Sequence, residues 1–148
     1  MALSVARTIS FGGSQDSTEI TQVVETINVN KQEKYTSGVW VRDSVTLAAA
    51  TDMDLDTYFS DGFGNAVNFA TLYELWIHNT DTVKTVAVSG QILTLFQATG
   101  AEARTIQPDG YFIETNPTGW TVNDASDVMT LTPSAAGAVV EIFIIGAE

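Results

Sequence analysis

Cysteine is absent from this 148-residue chain, which excludes disulfide frameworks, thiolate metal sites, iron–sulfur clusters and cysteine nucleophiles together. Basic residues are scarce. Six Lys and Arg stand against eighteen Asp and Glu, for a formal charge of -12, and such a field repels phosphate backbones and anionic lipid heads. Nucleic acid and membrane are therefore not expected as partners. Histidine occurs once, at His78, so a cupin-like metal site, which needs several, has too few ligands. No stretch approaches the roughly 18 apolar residues of a spanning helix, and Met1–Ser10 lacks the apolar centre of a signal peptide. On these grounds the chain is expected to be made as a soluble cytosolic protein. No Gly-x-Ser-x-Gly elbow and no phosphate-binding glycine loop with its lysine is present. Internal repeats, low-complexity tracts and linker-like shifts of composition are lacking too.

What remains is a chain with 45% hydrophobic residues, long enough to bury one core and too short for two. Residues 1–19 are mixed and polar and read as an N-terminal arm; residues 20–148 read as a single domain. From Ile20 onward the dominant pattern has period two with frequent turn residues, the signature of an all-β protein. Ile20–Val29 is rich in β-branched residues, and polar Asn30–Ser37 reads as a loop. In Gly38–Ala50, Val39, Val41, Val45 and Leu47 fall on one face and Trp40, Arg42, Ser44 and Thr46 on the other. Leu72–His78 places Leu72, Glu74, Trp76 and His78 opposite Tyr73, Leu75 and Ile77, and with Val83–Val88 suggests a hairpin. Gln91–Phe96, Tyr111–Thr115, Trp120–Val122 and Val128–Thr132 read as further strands. Pro108-Asp-Gly110 and Asn116-Pro-Thr-Gly119 supply turns in which proline fixes φ and glycine accepts positive φ. The closing run Ala138–Ile145 is apolar on both faces, with Glu141 its single interruption. Such a strand is either central and covered, or meets another chain. The expected fold is an antiparallel β-sandwich of about eight strands, jelly-roll-like.

Chemistry is thinly marked. Asp52, Asp54 and Asp56 share one face if their segment is extended, and three convergent carboxylates suit calcium. The spacing fails as an EF-hand, because Thr57 and Phe63 occupy the glycine and glutamate positions. The plainer reading is a solvated acidic edge with no metal. His78 lies four residues from Glu74, beyond direct hydrogen-bond reach along a strand, and is read as a strand-end residue before a turn. Trp40, Trp76 and Trp120 could stack on sugar rings, with Trp120, after its glycine turn, expected to be the most exposed. No catalytic residue and no cofactor is expected. Unpartnered apolar strand surface makes a closed homo-oligomer the expected state, with Val139, Phe143 and Ile145 as interface candidates and Arg7 as a further contact from the arm.

Leu75-Trp-Ile-His-Asn79, Pro108-Asp-Gly110 before an aromatic strand, Gly119-Trp-Thr-Val122 and the ending Val140-Glu-Ile-Phe-Ile-Ile-Gly146 together resemble small β-sandwich virion proteins of tailed bacteriophages, the capsid decoration or cement proteins. That resemblance covers residues 37 to 148. It implies a non-enzymatic domain that trimerises on the outside of a phage head, assembled in the host cytoplasm, with itself and the major capsid protein as partners. A carbohydrate- or receptor-binding module of a tail fibre or spike is the alternative.

Overall fold

The computed structural model describes residues 3–11, 27–35, 38–61, 63–97 and 102–148. The chain forms two compact units, Met1–Thr36 and Ser37–Glu148. The first holds an antiparallel pair, β1 (Leu3–Phe11) and β2 (Ile27–Tyr35), in a register that sets Arg7 opposite Lys31. The unit boundary thus falls after Thr36 rather than after Glu19. The segment expected as an arm contributes a nine-residue strand, and Asn30–Tyr35, expected as loop, lies within β2. Its polar composition hides it, because backbone pairing rather than apolar alternation defines this strand. Ile20–Thr26 lies outside the described residues.

The second unit is an all-β sandwich of two four-stranded antiparallel sheets. Its strands are β3 (Val39–Leu47), β4 (Thr51–Asp54), β5 (Thr71–Asn79), β6 (Val86–Ser89), β7 (Arg104–Ile106), β8 (Tyr111–Thr121), β9 (Val128–Pro133) and β10 (Ala138–Ala147). One sheet runs β3-β10-β5-β8 and the other β4-β9-β6-β7. The pairing is nested: β3 with β10, β4 with β9, β5 with β8 and β6 with β7. Successive strands from β3 to β6 therefore cross from one sheet to the other, β6 and β7 pair within one sheet, and β7 to β10 retraces that path.

Alternation in β3 follows the sequence pattern: Val41 and Leu47 are buried, Val39 and Val45 half-buried against the core, and Trp40, Arg42, Ser44 and Thr46 exposed. The apolar run β10 lies between β3 and β5, and its Ala138, Val140, Ile142 and Ile144 join the core with Leu72, Leu75 and Ile77 of β5. From the other sheet come Met53, Val86, Val88, Ile106, Met129 and Leu131. Each buried Leu, Ile or Val contributes roughly 1.5–3 kcal/mol relative to exposure, so this interior is ample for a domain of this size.

Four local expectations change. First, Leu72 points into the core beside Leu75 and Ile77, because the β5–β8 register shifts between Leu72 and Glu74. A β-bulge adds one residue and thereby resets which face follows. On the β8 side the same irregularity takes up Asn116–Gly119. The two segments expected on either side of that turn are therefore one strand, and Gly119 adopts φ 83 as expected. Second, β5 and β6 belong to different sheets and form no hairpin. Third, Leu93–Phe96 is a single helical turn, α1. Gly90, at φ 100, redirects the chain, and Ile92 and Leu93 are buried. Fourth, in the Pro108 turn the residue with positive φ is Asp109 (φ 55), not Gly110. Aspartate tolerates the left-handed region, and the Gly110 amide closes the turn on the Gln107 carbonyl at 2.9 Å.

Candidate functional site

The face of the β3-β10-β5-β8 sheet turned away from the core carries an ordered grid of side chains. One row crosses the sheet as Arg42, Phe143, Trp76 and Ile113, and the next as Ser44, Glu141, His78 and Tyr111. A third row runs Trp40, Ile145, Glu74 and Thr115. Trp40, Ile113 and Tyr111 are 48%, 43% and 59% exposed, unusual for large apolar side chains. Phe143 and Trp76 are half-buried.

Contacts within the grid fix several rings. The Trp40 and Phe143 centroids are 6.3 Å apart, and His78 stacks on Tyr111 at 4.1 Å with their planes 6° from parallel. His78 Nε2 lies 3.1 Å from Asp109 Oδ1. Its acidic partner is thus not Glu74 but a residue brought alongside by the Pro108 turn. The Trp76 indole N–H donates to Glu74 Oε2 at 3.1 Å, and the Glu74 side chain is fully buried. Arg42 Nη2 approaches Glu141 Oε2 at 3.4 Å. Between these groups is a depression of about 170 Å³ bordered by Arg42, Trp76, His78, Tyr111, Glu141 and Phe143.

The interface candidates fare unequally. Val139 and Phe143 lie half-buried on this face of β10. Ile145 is fully buried and offers no open surface, a correction to its reading as a contact residue. Arg7 lies in β1, in the other unit. Of the tryptophans, Trp40 is the exposed one. Trp120 is half-buried, packs against the core and meets Phe96 edge-on at 4.9 Å. The glycine turn before it places its side chain on the inward face of β8.

A second cluster lies where β4 ends. The chain turns after Asp54, with the Tyr58 amide donating to the Asp54 carbonyl at 2.9 Å and the Asp56 amide to Asp54 Oδ1 at 2.7 Å. The three aspartates expected on one strand face are thereby separated. Asp52 is exposed and accepts from the Thr130 hydroxyl at 2.6 Å. Asp54 and Asp56 instead converge with Asp127, and carboxylate oxygens of the three lie within 4.8 Å of one another. Burial pushes the Asp56 carboxyl up, as do the nearby charges of Asp127, Asp54 and Asp124. Sequence reading missed Asp127 because it arrives from the segment before β9. The β4–β9 register, Asp54 opposite Val128, sets the two side by side.

Among the described residues no helix is long and apolar enough to cross a membrane. Comparison with protein-family models and with curated proteins finds no match for this chain.

Proposed function

We propose that the protein is a non-enzymatic structural component of a phage virion, decorating and stabilising the outside of the capsid as a homo-oligomer, in the simplest case a trimer. The observation that carries this reading is the set of exposed large apolar side chains at the two edges of one sheet face, Trp40 on β3 and Tyr111 and Ile113 on β8, with half-buried Phe143 and Trp76 between them. Exposed aromatic and apolar side chains interspersed with charged groups such as Arg42 and Glu141 mark a contact surface. Aromatic side chains contribute most to such contacts, since they bury large areas at little cost in conformational entropy. Nested pairing of eight strands supports the jelly-roll reading of the fold, and the sequence resemblance to decoration proteins supports the place on the particle, with the major capsid protein as partner.

Native mass measurement of the full chain tests this. The expected mass is three times that of the chain, falling to one in the Phe143→Glu variant, with the circular dichroism of both unchanged. A wild-type chain that stays monomeric at tens of micromolar overturns the oligomer. A specific observation favours a second reading, a carbohydrate-binding module of a tail fibre. The depression between Tyr111, His78 and Trp76 combines aromatic faces with the polar groups of Arg42 and Glu141, the mixture that sugar rings require. A monomer that binds oligosaccharides, and loses them on Tyr111→Ala, would establish that alternative.

A further inference from the structure

The acidic cluster at the end of β4 has a feature that solvated carboxylates lack. Asp127 is only 7% exposed. Its side chain accepts no hydrogen bond and meets no cation among the described residues, while one of its oxygens lies within 4.8 Å of those of Asp54 and Asp56. Removing a carboxylate from water without a partner is costly, and buried charges are as a rule paired or bound to metal. The surroundings offer the opposite of compensation. Asp54 and Asp56 are half-buried beside it, and Asp124 is near enough to raise the Asp56 carboxyl further.

The backbone holds the cluster firmly. The Leu55 amide donates to the Asp127 carbonyl at 3.0 Å, so the residue between the two other aspartates is tied directly to the third. The Ser126 amide, bonded to the Asn123 carbonyl at 2.7 Å, closes the turn that delivers Asp127. Asp54 spends Oδ1 on the Asp56 amide, which leaves its other oxygen unengaged.

We propose that Asp54, Asp56 and Asp127 form a binding site for a single divalent cation of calcium's size. An all-oxygen, all-carboxylate donor set selects hard cations over transition metals. Two oxygens on opposite sides of a calcium ion, each at about 2.4 Å, are about 4.8 Å apart. Three oxygens at that full span from one another would stand about 2.8 Å from a central ion, so a closure of a few tenths of an ångström brings all three to coordinating distance, with water and carbonyl oxygens filling the remaining positions. The flexible geometry of calcium suits a site with two half-exposed ligands, whereas magnesium demands near-ideal octahedral placement and gives up its water reluctantly. The ion would link the end of β4 to the start of β9 through ligands from both. This site lies outside the aromatic face, so it stands or falls independently of the decoration reading.

The test uses the full chain stripped with chelator and titrated with calcium chloride by calorimetry, alongside thermal unfolding. One ion per chain is expected, with a dissociation constant near the 10⁻⁴–10⁻³ M typical of extracellular calcium modules and a melting temperature that climbs with calcium. Asp127→Asn weakens binding at least tenfold. Asp56→Asn, at a half-exposed position, does the same without threatening the fold. In chelator that variant melts higher than wild type because a repulsion is gone, and calcium no longer raises it. Asp52→Asn binds as wild type does. No heat and no thermal shift at about 10 mM calcium overturns the proposal, as does unchanged affinity in both Asp127→Asn and Asp56→Asn. An equal response to magnesium overturns the assignment to an ion of calcium's size.

Discussion

Asn79 ends β5 at the point where the chain leaves one sheet for the other, and its side chain is fully buried. Its amide nitrogen donates to the Lys84 carbonyl at 2.7 Å and to the Gln107 carbonyl at 3.1 Å, and its Oδ1 accepts from the Asp81 amide at 3.2 Å. Lys84 precedes β6 and Gln107 follows β7, so one side chain ties the crossover between sheets to the turn before β8. Asn79→Ala leaves two carbonyls and one amide without that partner. An orphaned polar group costs about 1–3 kcal/mol when buried and less where water can enter. With both carbonyls half-covered, a total loss of about 2–4 kcal/mol is expected, a large share of the 5–15 kcal/mol of an ordinary domain. Asn79→Asp should lose more at neutral pH, because it keeps the shape but turns a donor into a second acceptor facing two carbonyls. Urea unfolding followed by tryptophan fluorescence measures both. A loss below about 0.5 kcal/mol for alanine, or an aspartate variant no worse than the alanine one, would refute the reasoning.

Gly146 leaves no room for a side chain. A Cβ there would lie 2.4 Å from Phe69 Cδ1 and 2.5 Å from the Thr71 carbonyl oxygen, so Gly146→Ala should lower stability by about 1–3 kcal/mol through overpacking and shift the urea midpoint without altering the circular dichroism. Gly64→Ala, in open space but at φ 84, should cost only the about 1–2 kcal/mol of the left-handed backbone; a loss below about 0.5 kcal/mol in Gly146→Ala would contradict the steric account. Asp81 is held at a pKa of about 2, below its ordinary 3.8, by the Lys84 and Val83 amides and the Lys84 ammonium. A depressed carboxyl stabilises the fold above its unfolded pKa and loses that contribution as pH falls through the folded one. Stability measured from pH 5 down to pH 2 should therefore fall less steeply in Asp81→Asn than in wild type, and parallel curves would count against the assignment.

Much of the sandwich was legible where one residue's burial follows from its neighbours. Val39, Val41, Val45 and Leu47 announce a strand with one wet face, and the unbroken apolar run of β10 announces a strand covered on both sides, which its place between β3 and β5 explains. Legibility stops where a single residue resets the period. The extra residue at the β5 bulge moves Leu72 to the other face, and nothing in Leu72-Tyr-Glu-Leu75 distinguishes that outcome from plain alternation. Sheet identity is hidden for a similar reason. Asn79–Thr85 has turn chemistry compatible with a hairpin, whereas the buried amide of Asn79 is bonded to carbonyls as far along the chain as Gln107, just past β7 of the sheet that β6 joins. In β2 the signal stops at Val29, since Asn30-Lys-Gln-Glu-Lys34 is polar at every position.

The two candidate sites were legible to different degrees, and the difference has one cause. A sheet face is built from alternate residues of individual strands, so Trp40 and Arg42, or Trp76 and His78, can be paired from spacing alone. Only their alignment into rows needs the register. The acidic cluster mixes a local pair with a distant third. Asp54 and Asp56 stand out in Asp52-Met-Asp-Leu-Asp56, but extended geometry assigns them Asp52 as companion, whereas the turn after Asp54 takes Asp56 out of the strand and the β4–β9 pairing sets Asp52 against Thr130 and brings Asp127 beside Asp54. Asp127 carries no sequence mark of its own. Its significance arises from burial beside two like charges, a property of the assembled sheet. For that reason the charge of -12 is a poor guide to this chain's chemistry taken as a sum: what matters is the placement of three of the eighteen acids, Asp54, Asp56 and Asp127, which sets up a demand for a cation.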